Sequence, residues 1–328
     1  MSSNLTLLQK ADLALSDLAS DGGLLEDEQA NRFVRKLIKQ PTIIRDVRTV
    51  EMNAPQRQIN KIQFGSRIMR PASQGSIGSR ALASGDRSAP TTEQVLLTTF
   101  ESMAEVNLPY EVLEDNIERI GSLGQDSDGG AGSPLSGGLR DTIVDLMAER
   151  AALDLEELAL NGDTASADVY LAQNDGYLVE IETNGNIADI GGNKISKETF
   201  KVGMQVLPDQ YLRNKAQMRH YVSQDQDTEY RDSLASRATG VGDSFVQGQQ
   251  NPTPFGTPLS AVQTMPQDKG LFTNPLNLLM GIQRQVTLEF DKDIRERVYI
   301  IVLHVRLDFQ VEEAEAAVVY NNLGDPLA

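Results

Sequence analysis

Two histidines, His220 and His304, and no cysteine make up the near-neutral chemistry of this chain. Nucleophilic catalysis of the Ser–His or Cys–His kind needs a base beside its nucleophile, and there is little material for one. Thiolate chemistry, disulfides and Cys-ligated zinc are excluded together. His304 stands inside an apolar run, 298–309, and both histidines read as structural. Carboxylates are the remaining candidates. Asp225, Asp227 and Glu229 recur at alternate positions, and Asp126 and Asp128 stand beside Gly129 and Gly130 like the start of a calcium loop. No Glu closes that loop where a bidentate ligand is required. Solvated acidic turns account for both sets; an acidic metal-dependent hydrolase using Asp225, Asp227 and Glu229 is kept as the enzymatic alternative. The glycines of 132–138 precede a helical stretch, but Leu139 follows where a phosphate loop carries Lys and Ser or Thr. Gly240 and Gly242 lack the third glycine of dinucleotide spacing. No catalytic, cofactor-binding or metal-ligating residue is assigned.

The elements that would position any site are divided by composition. The chain has 328 residues, enough for two or more subdomains. Its 40% hydrophobic content and 5% aromatic content are low, since globular chains carry about 45–50% apolar residues. Stretches that bury little within one subunit are expected. Lys and Arg number 30 against 47 Asp and Glu, a formal charge of -17, which argues against binding nucleic acid through basic contacts. The first ten residues lack the basic-then-apolar layout of a signal peptide, and no run approaches the length of a membrane span. A soluble protein that assembles in a reducing cytosol is expected.

Leucines at helical spacing in 5–18 predict a short amphipathic helix. A second, 26–39, has acidic residues at its start, basic ones at its end and Pro41 as its stop. β-Branched residues in 43–50 predict a strand. Residues 56–90 are poor in large apolar side chains: Arg67, Arg70, Arg80 and Arg87 alternate with Ser and Gly, bracketed by apolar flanks at 59–64 and 95–100. That pattern predicts a long two-stranded arm with a mobile tip, and loops of this length are usually functional or disordered.

Residues 122–138 contain almost nothing that could pack and read as an exposed loop. Then 139–160 predicts a long helix, with Leu139, Ile143, Leu146, Met147, Leu153 and Leu158 on one face and Asn161-Gly162 as its stop. Further on, 177–181 reads as a strand, 197–207 as a helix, 217–222 as a strand and 227–237 as a helix. Pro252, Pro254 and Pro258 break the chain before a β-rich end at 285–290, 298–309 and 316–320. The order is α+β, without regular βα alternation.

Taken in order, these pieces resemble the major capsid protein family of tailed phages, whose fold is shared with encapsulins and the floor of herpesvirus capsids. The segment 100–119 (FESMAEVNLPYEVLEDNIER) is similar to the family's strand-then-helix entry to a peripheral domain, and EELALNGD at 156–163 to its spine-helix ending. Residues 211–266 are similar to an axial domain. Gly270-Leu271-Phe272 and the strands that follow, including Arg306-Leu307-Asp308, resemble its closing strands.

The resemblance implies a tailed-phage major capsid fold with an N-terminal arm over 1–54 and an extended β-hairpin loop over 55–98. A peripheral domain over 99–196 and 271–328, with its spine helix at 139–160, and an axial domain over 197–270 complete it. It implies a subunit that assembles with itself into pentamers and hexamers, forming an icosahedral head around double-stranded DNA that it encloses without sequence-specific binding. A separate scaffolding protein and a portal are implied, decoration proteins are left open, and the location is the virion, with assembly in the host cytoplasm. The arm would lie across an adjacent subunit, with Arg67, Arg70, Arg80 and Arg87 as inter-subunit contacts. An encapsulin-type shell is the other structural alternative. Relatives that cross-link use a loop lysine; only Lys61 stands in the 56–90 segment, and that chemistry is not carried over.

Overall fold

The structure is a computed structural model that describes residues 42–64, 67–69, 87–109, 139–236 and 251–326. The expected helices at 5–18 and 26–39, the helical part of 100–119, the 122–138 loop and all of 240–250 lie outside the described residues.

Among the described residues the strands form three sheets. Strands β1 (Arg48–Glu51), β9 (Leu278–Asp293), β10 (Val298–Val311) and β4 (Phe100–Pro109) make a four-stranded sheet in the order β1-β9-β10-β4. There β1 runs parallel to β9 and the other pairs are antiparallel. Strands β2 (Gln56–Gln63) and β3 (Thr91–Thr98) form an antiparallel hairpin by themselves. A five-stranded sheet has the order β5-β11-β8-β6-β7 and is built from β5 (Asn186–Asp189), β6 (Arg219–Ser223), β7 (Leu259–Val262), β8 (Gly270–Thr273) and β11 (Ala317–Asn321). It takes β5 and β11 from one side, and β6 and β7 from the other, of the boundaries expected at 197 and 271.

Among the described residues four α-helices pack on this frame. Helix α1 (Leu139–Asn161) is the expected long helix; at ~1.5 Å per residue it is about 34 Å long. Leu153, Leu158, Ala159 and Leu160 are buried, so its C-terminal part enters the core, whereas Leu146 and Met147 are only half-buried. Gly162 ends it. A Cβ there would collide with the Asn174 and Leu158 carbonyls, and the Gly176 amide donates to the Gly162 carbonyl at 2.8 Å.

The strand expected at 177–181 is instead helix α2 (Tyr177–Asn184). Tyr177, Leu178 and Ile181 are all buried at spacings that share one helical face, and α2 lies where a single face meets the core. The strand expected over 43–50 shrinks to β1. The Thr42 and Ile43 amides are held by a side chain, Glu156, and are unavailable to a ladder, while Asp46 N closes a turn onto the Ile43 carbonyl. Helix α3 (Lys197–Val206) begins at a Ser196–Thr199 capping box, and helix α4 (Gln224–Ala235) at Ser223, whose hydroxyl accepts from Gln226 N.

The five-stranded sheet is covered on both faces. Leu271, Ala317 and Val319 join a core with Leu158, Leu178, Ile181, Leu307 and Phe309, while their neighbours Phe272, Val318 and Tyr320 join a second core with Phe200, Tyr230 and Leu234. That is why β8 and β11 are buried at nearly every position.

Candidate inter-subunit interface

The hairpin β2–β3 has two unlike faces, because successive side chains of a strand point to opposite sides. Ile59, Val95 and Leu97 face the body and pack with Val50, Met52 and Leu279. Gly281 of β9 leaves room for Met52 beneath the hairpin, since a Cβ there would collide with Met52 Sδ. The opposite face leaves Ile62 69%, Phe64 53% and Leu96 45% exposed. Beyond the strands the two legs stay together, with the Ser88 hydroxyl donating to the Arg67 carbonyl at 3.4 Å. Arg67 and Arg87 are exposed on these legs; Arg70 and Arg80 lie outside the described residues.

Buried carboxylates tie the projecting segments to the body. Asp308 of β10 accepts from Thr98 N at 2.7 Å, at the root of the hairpin, and from Asn174 Nδ2 at 3.1 Å. Burial pushes its carboxyl up to about 6, against the pull of these donors. On α2, Glu180 accepts from Val311 N at 2.9 Å. Burial, together with the charges of Asp308 and Asp175, raises it to about 7. Glu156 of α1 takes Thr42 N and Ile43 N on one oxygen, both at 2.6 Å, so the segment entering β1 is pinned to the long helix. Burial also raises its carboxyl.

Lys61 is the fourth anchor. Its ammonium donates to the Glu312 carbonyl at 2.8 Å and to Glu313 Oε2 at 2.9 Å, and lies 3.2 Å from Glu93 Oε2. Burial works to lower its pKa, but the hydrogen bonds and charges of Glu313 and Glu93 outweigh it, and the group sits above the ordinary lysine value. A cleft of about 370 Å³ opens beside it, lined by Arg48, Tyr211, Leu276 and Asn277 among others.

These anchors were not singled out from the sequence. Glu156 had a signal, because it shares a helical face with Leu153 and Leu160 and a lone carboxylate on an apolar face asks for a partner. Asp308 and Glu180 had none, since each stands between apolar neighbours that a local alternation turns inward, which places the carboxylate itself on the solvent side.

The acidic trio does not converge. Asp225 and Asp227 occupy the first turn of α4, where carboxylates suit the positive end of the helix dipole. Asp225 accepts from Gln267 Nε2 at 2.5 Å, Asp227 pairs with Arg231 at 2.8 Å and Glu229 lies 3.6 Å from Lys194. Among the described residues no group of three or more His, Asp and Glu could hold a metal ion. His220 is fully buried and stacks on Phe272 with ring centroids 4.2 Å apart. Burial pushes its pKa down to about 3, so it is a neutral core group. His304 is half-buried on β10, with Nδ1 3.9 Å from Glu101 Oε1. Among the described residues no helix is long and apolar enough to cross a membrane.

No family model matches the chain. YqbE of Bacillus subtilis (strain 168), whose name describes it as a prophage capsid protein, is 38% identical over 330 residues, covering 96% of this chain and 98% of YqbE. Among solved structures, the capsid of a native GTA particle computed with C5 symmetry aligns with a TM-score of 0.63 at 13% identity, over 95% of this chain and all of that one. A Mycobacterium phage Che8 chain aligns with a TM-score of 0.59 at 13% identity, over 92% of this chain and all of its own length.

Proposed function

The chain belongs to the tailed-phage capsid protein family, and from that premise we propose that it is a structural subunit, not an enzyme, which assembles with identical copies into the pentamers and hexamers of an icosahedral head. The observation that carries this reading is the hairpin. One face is anchored to its own subunit through Leu97, Asp308 and Lys61, and the other offers Ile62, Phe64 and Leu96 outward, with Arg67 and Arg87 beyond them. A surface of this kind suits a neighbouring copy, whose excess acidic residues can meet the arginines in salt-sensitive contacts.

In this reading 1–54 is an N-terminal arm and 55–98 the extended loop. Residues 99–196 with 271–328 form a peripheral domain around α1, and 197–270 form the bulk of an axial domain whose sheet is completed by β5, β8 and β11. Arg67, Arg70, Arg80 and Arg87 contact the adjacent subunit. The shell encloses double-stranded DNA without reading it, and a net charge of -17 keeps the polyanion from adhering to the wall. A separate scaffolding protein and a portal are its partners, decoration proteins are left open, and assembly takes place in the host cytoplasm before the subunit becomes part of the virion.

Deleting residues 67–87 tests the reading. A folded, soluble subunit that no longer closes into shells in electron micrographs is expected; normal shells from the deletion refute the role of the arm. Particles filled with protein and devoid of DNA would point to an encapsulin-type compartment.

A further inference from the structure

We infer that Phe255 is a contact residue between copies of this chain, presented outward by a turn that the subunit braces from within. The inference rests on the shell-subunit reading and adds a second contact, remote in sequence from the hairpin.

Phe255 sits in the turn Pro254–Gly256 with φ 52° and ψ 26°, in the left-handed region. An aromatic residue there is uncommon and strained, whereas Gly or Asn would hold the same turn with little penalty. The ring is not needed for the core, since Phe255 is 52% exposed. The turn under it is fixed instead by its neighbours. Pro254 is buried and its carbonyl accepts from the Thr257 hydroxyl at 2.8 Å. The Thr257 oxygen lies 2.7 Å from His220 Nε2, and His220 Nδ1 lies 3.0 Å from the Tyr320 hydroxyl. Because Thr257 donates to Pro254, His220 must donate through Nε2 and accept from Tyr320 through Nδ1. A buried relay thus runs from β11 through β6 to the carbonyl immediately before Phe255, and every member has its partner. Strain held in place by a fully satisfied network, with an aromatic as its outward end, is the signature of a binding position.

Charge identifies the occupant. Identical copies of a chain carrying -17 repel one another, so they can touch closely only where charge is complementary or absent. Residues 251–267, which carry the turn, contain no Asp, Glu, Lys or Arg, in a chain that is 23% charged. Helix α3, against which the turn packs, adds Val202 and Val206 one helical turn apart, 36% and 37% exposed. A nucleic-acid strand fits poorly, because aromatic stacking on bases needs a basic groove and this segment has no cation. A second copy of the chain fits.

The test uses the full-length protein with Phe255→Asn and Phe255→Gly, which remove the ring and relieve the backbone, and Phe255→Tyr, which keeps the ring. Subunit melting temperature and the critical concentration for particle formation, by light scattering and electron microscopy, are the readouts. The Asn and Gly variants are expected to melt no lower than the parent yet to need about tenfold or more protein to assemble, as for a buried aromatic anchor; Tyr stays at the parental concentration. Assembly of Asn and Gly variants at the parental concentration overturns the inference, and so does a lower melting temperature, which would make Phe255 a fold residue. If the parent itself forms no particles under any condition, the shell-subunit reading fails first and this inference falls with it.

Discussion

Asp308 Oδ2 stands 2.7 Å from the Thr98 amide, although 210 positions of sequence separate them. The pair joins the last residue of β3 to a strand of the four-stranded sheet, so the direction in which the hairpin leaves the body depends on one buried carboxylate. Its other oxygen holds Asn174, which leads into α2. The hairpin root, β10 and the segment leading into α2 are thereby tied together through one side chain.

Replacing Asp308 with Ala leaves the Thr98 amide and the Asn174 side chain without this acceptor, and a loss of about 2–3 kcal/mol is expected, since orphaned buried donors are penalised. Asp308→Asn keeps an oxygen for Thr98 and should lose roughly half as much. Urea unfolding midpoints compare the two, and hydrogen exchange at the Thr98 amide localises the effect; equal losses for Ala and Asn would contradict the anchor.

Glu180 gives a pH prediction. Its folded carboxyl titrates at about 7 against a reference of 4.5, so the folded state binds the extra proton between those values. Stability from this group is complete below the reference value and is lost as pH rises through about 7. Glu180→Gln removes that dependence, and the stability difference between variant and parent should change by about 3 kcal/mol across this range, in favour of the variant as pH rises. Denaturation curves at a series of pH values measure it, and parallel parent and variant profiles would refute it.

Gly203 of α3 lies flat against the Tyr320 ring, and a Cβ at that position would overlap the ring and its hydroxyl. Tyr320 is fully buried and bonded to His220, so it cannot step aside. Gly203→Ala should destabilise the fold by about 3 kcal/mol or more despite the better helix propensity of Ala, read as a fall in melting temperature; a neutral result would mean that the ring has another rotamer available.

Lys61→Met removes the cation that holds Glu93, Glu313 and the Glu312 carbonyl together. Methionine keeps the stem's packing, so the loss isolates the charge and is expected at about 1–2 kcal/mol because Glu313 is partly buried and loses its partner. High salt should narrow the gap between parent and variant, because screening weakens the parent's pair.

The extent to which the sequence announced all this differs from element to element. Helix α1 and its Asn161-Gly162 end were legible because Gly at a helix terminus and a long apolar period are local signals. The hairpin was legible from its apolar flanks around a polar arm. At 177–181 locality misled: Tyr177, Val179 and Ile181 alternate as a strand would, and only the packing of Leu178 beside Tyr177 against one core reveals a helix.

By itself the sequence determined the α+β order, the acidic and cysteine-free character, and the hairpin flanking the polar 56–90 segment, because these follow from composition and short-range periodicity. Tertiary structure alone decided which carboxylates are buried and which loop is strained. Along β10 the alternation puts Asp308 on the same side as His304 and Arg306, a side that reads as solvent-facing. It becomes interior only because the root of the hairpin, some two hundred positions away, folds over it. Burial is set by contacts between distant segments, and no local pattern of residues records which segments those will be.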